Sequence, residues 1–159
     1  SRIDLTSLHD PVNKMMKALE PVYDSIPPGL IRRMGTAVRM GVGAAMPIVM
    51  NGPALNGIVL GTANGGMEDC IKFLNQIIKY EEGALTPGNF VQSTPNAIAA
   101  QIGLLSRNKG YNNTHVHRGL SFENAMTDVA MQLSVNKDHS YLLGAVDEIS
   151  TYNYNIEFF

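Results

Sequence analysis

The chain of 159 residues predicts an α/β fold in which a mostly parallel sheet is flanked by helices. Short apolar runs bounded by turn residues, at 57–63 and 141–146, alternate with segments whose apolar residues recur every three or four positions. The first of these runs is apolar throughout rather than alternating, as in a strand covered on both faces. Such alternation favours parallel strands joined by helices.

Taken in order, the first residues are polar and punctuated by Pro11, Pro21, Pro27 and Pro28. We read 1–30 as an irregular lead-in with one short helix near Asn13 to Leu19, and 31–159 as a single domain. Ile31, Met34, Val38, Val42, Ala45 and Val49 share one helical face, with Arg32, Arg33 and Arg39 near the polar side. Pro47 is expected to kink or end that helix. The run from Gly57 to Ala63 is a buried strand. Asn64, Gly65 and Gly66 turn it into a helix with Met67, Ile71, Leu74 and Ile78 on its core side, stopped by Gly83. A loop follows through 85–90. Thr94 as N-cap and Pro95 at the first position open the next helix, whose apolar face is Ile98, Ile102 and Leu105. Asn112 to Arg118 reads as a strand, Thr114 and Val116 on one face, His115 and His117 on the other. Ser121 is the expected N-cap of a helix carrying Phe122, Ala125, Met126, Val129 and Leu133. Tyr141 to Val146 is the last strand.

Composition removes several function classes. Hydrophobic residues make up 45% and charged residues 16%, values of a globular chain rather than a disordered one. The net charge of −2 gives no reason to expect nucleic acid, whose binders carry basic patches. Gly, Pro, Asn and Arg interrupt every long apolar stretch, so no membrane-spanning helix is expected. No apolar signal segment follows Ser1, and the single cysteine fits a reducing cytoplasm. No metal motif is apparent, because His115 and His117 share a strand face without a third ligand.

Three places could carry chemistry. The Asn64-Gly65-Gly66 turn could hold an anion, but it lacks the residues of a dinucleotide fingerprint or a P-loop and is explained as a tight turn. Cys70 lies in the first turns of its helix, where a thiol can be activated, yet its core-side position suits a buried filler. Ser121 near His115 and His117 could pair nucleophile with base, while helix capping explains the same serine without a reaction. Arg32, Arg33 and Arg39 form either a solvated face or a docking patch for an acidic partner.

Several stretches together resemble the N-terminal half of β-ketoacyl synthases, thiolase-like condensing enzymes. Arg32-Arg33-Met34 is similar to the family's Arg-Arg-Met helix start. The run from Ile58 to Glu68 resembles its strand-to-helix turn. Thr94 to Gly103 resembles its Pro-Asn-Met-Ala-Ala-Gly-Gln-Ile helix. Segments 32–41 and 117–123 are similar to those of a group that accompanies aryl-polyene and flexirubin-type pigment pathways. The resemblance implies the N-terminal half of a thiolase-like fold over 31–159. It also implies a reaction in which a cysteine at a strand-to-helix junction is acylated by a carrier protein. Laid without gaps from Lys109 and Gly110, that cysteine falls on Gly119, and Ser121 falls on the family's Ser or Thr; no cysteine lies between 110 and 125. Glycine has no side chain to acylate.

The expectation is therefore a β-ketoacyl synthase-like protein of fatty acid or polyketide-type pigment biosynthesis without its own catalytic residue. It would resemble a chain-length factor and partner a catalytic ketosynthase subunit, an acyl carrier protein, or both. No cofactor and no metal are expected. By the same resemblance 112–118 is a dimer strand, giving a homo- or heterodimer, and Arg32, Arg33, Arg39, His117 and Phe122 are candidates for acyl or carrier binding. The alternatives are an acyltransferase using Ser121 or Cys70 as an atypical nucleophile, and a purely structural homodimer. The family's decarboxylation histidines and lysine belong to a second half that would begin beyond Phe159. The chain is thus expected to be a half-size relative or part of a longer one.

Overall fold

The computed structural model describes residues 20–80, 83 and 85–149. The chain runs α1 (Pro28–Ile31), α2 (Thr36–Asn51), β1 (Gly57–Thr62), α3 (Met67–Tyr80), α4 (Pro87–Gln92) and α5 (Ala97–Ser106). It continues through β2 (Tyr111–Val116), a 3₁₀ turn at Arg118–Leu120, α6 (Ser121–Val135) and β3 (Tyr141–Ala145). The described strands form one parallel sheet in the order β2-β1-β3. The α/β class and the parallel sheet therefore stand.

Burial follows from that order. β1 is central, and all six of its residues are buried. Its alternate side chains divide the core. Ile58 and Leu60 join Leu142 against Val38, Val42, Ala45, Ile98, Ala99 and Ile102 of α2 and α5. Val59 packs with Ala125 and Val129 of α6 on the opposite face. Among the described residues the result is three layers, α2 and α5 on one side, the sheet, and α6 on the other. Each fully buried aliphatic here contributes about 1.5–3 kcal/mol. Gly61 lets α6 approach: a Cβ there would stand 2.7 Å from the backbone carbon and oxygen of Ser121. Gly65 closes the turn after β1 in the left-handed region, φ 63°, against Pro95.

Several boundaries differ from the sequence expectation, each for a local reason. The helix expected from Ile31 breaks between α1 and α2. Gln92 reaches into the break: its Nε2 donates to the Arg33 carbonyl at 2.6 Å, and its Oε1 accepts from the Gly35 N–H. The Ala37 N–H is bonded by the Glu148 carboxylate. Remote side chains thus cap α2, whose N-cap, Gly35, has no side chain of its own. Pro47 does not end α2; it sits inside the helix on an exposed position, while Val42, Ala45 and Met46 hold the buried face. That packing outweighs one missing hydrogen bond. The stretch read as a loop at 85–90 carries α4, started by Pro87 and packed through Phe90 on Phe73, ring centroids 5.3 Å apart.

Helix α5 begins at Ala97 rather than at Pro95, with Asn96 as N-cap; Thr94 Oγ1 instead donates back to the Val91 carbonyl. Its face of Ile98, Ile102 and Leu105 packs as expected. The second strand spans 111–116, so His117 lies beyond it. Ser121 is the first residue of α6 and not its cap. Leu74 and Ile78, expected in the core, are 50% and 78% exposed, and Phe122 and Met126 are 42% and 49% exposed. Ile26, inside the stretch read as lead-in, is buried in the main core, and α1 crosses the boundary drawn at 30. The helix expected near Asn13 to Leu19 lies outside the described residues. No helix among the described residues is long and apolar enough to cross a membrane.

Candidate functional site

Parallel register brings the C-terminal ends of β1 and β2 together, Thr62 opposite Val116. From there the chain turns through His117, Arg118, Gly119 and Leu120 into α6. The elbow is tight: Arg118 has φ 50°, the left-handed region that side chains disfavour, and Leu120 N–H returns to the His117 carbonyl at 3.0 Å.

Ser121 pins this elbow. Its side chain is buried, and its Oγ accepts from the His117 N–H at 2.8 Å. The hydroxyl hydrogen faces two backbone carbonyls, Thr62 at 2.9 Å and Arg118 at 2.7 Å. A hydroxyl has one hydrogen to give. Here it is directed at carbonyls, which cannot take a proton as a general base does. His115 Nε2 turns to the Asp128 carboxylate at 2.8 Å instead. The structure thus brings Ser121 and His117 together through a backbone N–H and builds no Ser–His pair. Gly119, two residues earlier, is exposed, and a Cβ built on it meets no atom within 4 Å. The elbow has room for a side chain that this chain does not carry.

The other candidates scatter. Cys70 is half-buried on α3, a different element from the elbow. Phe122 is exposed on α6, as is Leu120 before it. Arg39 is committed to Glu20, Nε to Oε2 at 2.7 Å and Nη2 to Oε1 at 2.5 Å, which raises its pKa. Arg32 and Arg33 are exposed at the end of α1. Arg33 lines a groove of about 430 Å³ with Leu30, Met34, Val91 and Leu104. Among the described residues, no group of three or more His, Cys, Asp and Glu is placed to hold a metal ion.

The model of the β-ketoacyl synthase N-terminal domain matches residues 9–156. The chain belongs to that family. Curated proteins gave no match. Among solved structures, the ketosynthase ApeO in complex with its chain length factor ApeC, from Xenorhabdus doucetiae, matches with a TM-score of 0.69 and 16% identity. That match covers 89% of this chain and 57% of the other. The ishigamide ketosynthase/chain length factor matches with a TM-score of 0.68 and 23% identity, over 83% of this chain and 39% of the other. These likenesses establish the fold, the N-terminal half of a thiolase-like one. The chain spans about half the length of the solved chains it resembles.

Three features of this β-ketoacyl synthase domain escaped the sequence reading. Asp128 gathers Tyr111, Asn113 and His115; burial pushes its carboxyl up, but the hydrogen bonds outweigh burial and hold it below the usual range. Asp147 ties the ends of β1 and β3, accepting from Thr62 Oγ1 at 2.9 Å and Ala63 N–H at 2.7 Å. Asp69 and Glu148 are buried carboxyls near α2, and burial pushes both pKa values up, with Glu68 adding to each. Asp128 follows His115 by thirteen residues across a strand-to-helix junction. No short motif encodes that spacing.

Proposed function

We propose that this domain works as the non-catalytic partner of a catalytic ketosynthase, in the manner of a chain-length factor in fatty acid or polyketide-type biosynthesis. The observation that carries the reading is the elbow at 117–121. It has a strand, a tight turn and a helix in the order of a condensing enzyme's nucleophile junction, which supports reading Gly119, by the family resemblance, as the position of the missing cysteine. Ser121 is spent on backbone carbonyls, so it does not replace the missing thiolate. Both solved neighbours are described as ketosynthase and chain length factor assemblies, which supports the same pairing for this chain.

Such a partner must offer an apolar wall to a growing acyl chain. Leu74 and Ile78 on α3 are large, apolar and exposed, and Ile71 continues their stripe. We assign that wall to them, with Phe122 and His117 beside the elbow. Arg32 and Arg33 meet an acidic carrier protein, while Arg39 is held by Glu20. β2, paired on one side only among the described residues, supplies the strand for a dimer partner. The proposed setting is the cytoplasm, and the role calls on no metal or cofactor.

The test is intact-mass spectrometry of the protein incubated with an acyl-loaded carrier protein and, separately, with a short acyl thioester. A non-covalent complex without an adduct is the expected result. A stoichiometric adduct lost in Cys70→Ala or Ser121→Ala would establish an acyltransferase with an atypical nucleophile. Absence of any complex with either a carrier protein or a ketosynthase subunit would leave a structural homodimer.

A further inference from the structure

β2 differs from the central strand in what holds it. β1 is buried along its whole length, whereas no residue of β2 is buried. Its sequence, Tyr-Asn-Asn-Thr-His-Val, offers little apolar area to either layer. The hydrophobic effect therefore contributes little to its placement. Besides its ladder with β1, the strand is gripped by side-chain hydrogen bonds on both faces.

On the face towards α5, Asn112 Nδ2 donates to the Ala99 carbonyl at 3.0 Å, and its Oδ1 accepts from Asn96 at 3.2 Å. On the face towards α6, three successive side chains of that face converge on one oxygen, Oδ2 of Asp128. Tyr111 OH lies at 3.0 Å, Asn113 Nδ2 at 3.0 Å and His115 Nε2 at 2.8 Å. Gln132, one turn further along α6, also bonds to Asp128. A carboxylate only accepts, so His115 carries its hydrogen on Nε2. Residues 111, 113 and 115 span most of the strand, and β2 leads directly into the elbow that Ser121 pins.

We propose that Asp128 is the positioning residue of the open sheet edge: through Tyr111, Asn113 and His115 it fixes β2 on α6 and thereby sets the elbow at 117–121. The carboxylate works as a three-point clamp in place of an apolar anchor. Donors that share one acceptor lose it together when it is removed. The consequence for function rests on the reading that β2 is the pairing strand, because a clamped edge meets a partner in one register.

Hydrogen exchange of the full chain tests the clamp without needing a partner. In Asp128→Asn and Asp128→Ala, amides of 111–121 are expected to exchange about tenfold faster or more, as local opening follows loss of charged hydrogen bonds. Amides of β1 and β3 are expected to keep their rates, and Glu123→Gln on the same helix to change nothing. Should the Asp128 variants not fold, Tyr111→Phe and His115→Phe remove one donor each and are expected to act on the same segment. Unchanged exchange in 111–121, or equal acceleration in all strands, would overturn the proposal and leave Asp128 an ordinary contributor to stability. Binding of a ketosynthase subunit is read separately. Its absence in the wild type would remove the pairing role of β2 while leaving the clamp intact.

Discussion

At Gly119 an exposed backbone with no atom near its absent Cβ separates two questions that usually travel together, whether a site is shaped for a residue and whether it has one. Gly119→Cys is therefore expected to fold with a stability within about 0.5 kcal/mol of the parent, the range of surface changes. A thermal melt checks it. Ser121→Ala is the contrasting case. It removes an acceptor from the His117 N–H and a donor from buried carbonyls, and is expected to cost about 1–3 kcal/mol. The two buried carboxyls give a prediction of opposite sign to the usual one. Burial raises Asp69 and Glu148, so the folded chain holds their protons more tightly than the unfolded chain does. Stability is present at low pH and is lost as pH rises from the ordinary carboxylate value through the raised folded values. Asp69→Asn and Glu148→Gln are expected to raise the melting temperature at neutral pH and to flatten its decline across that window.

For the elements, periodicity located the strands and the core faces of α2 and α5, because Ile58, Val42 and Ile102 are buried by their own layers. It misplaced the ends, where long-range bonds decide. Nothing near Gly35 announces that Gln92 will cap it, and nothing near Ser121 announces that Thr62 will take its hydroxyl. Pro47 shows the competition directly. Its ring should end α2, yet the buried residues around it keep the helix going. Pro47→Ala restores a donor to the Gly43 carbonyl on an exposed position and is expected to stabilise the protein by about 1–3 kcal/mol, seen in chemical denaturation. Gly61→Ala should do the reverse. Its methyl would enter the backbone of α6, and overpacking of this kind costs about 1–3 kcal/mol.

Across the whole molecule, Leu74 and Ile78 lie on the helix side expected to face a core, and this domain leaves them, with Phe122 and Met126, on its surface. The periodicity of α3 makes it amphipathic, but periodicity does not say whether the apolar face meets the same chain or another. Exposed apolar faces of this size mark surfaces that another element or chain covers. That explanation is testable at the faces themselves. Leu74→Glu and Ile78→Glu place charges on exposed positions of α3, so the melting temperature of the isolated domain is expected to stay nearly constant. In complex with a ketosynthase subunit the same charges would be desolvated or would face an acyl chain, and burying an unpaired carboxylate is costly. Binding measured by calorimetry is therefore expected to weaken by about tenfold or more for each, while the bulkier apolar change Leu74→Phe retains binding and shortens the acyl product of the assembled pair. Weaker binding with unchanged product length would make α3 a plain contact surface. A drop in the melting temperature of the isolated domain would mean that α3 is already packed against its own chain.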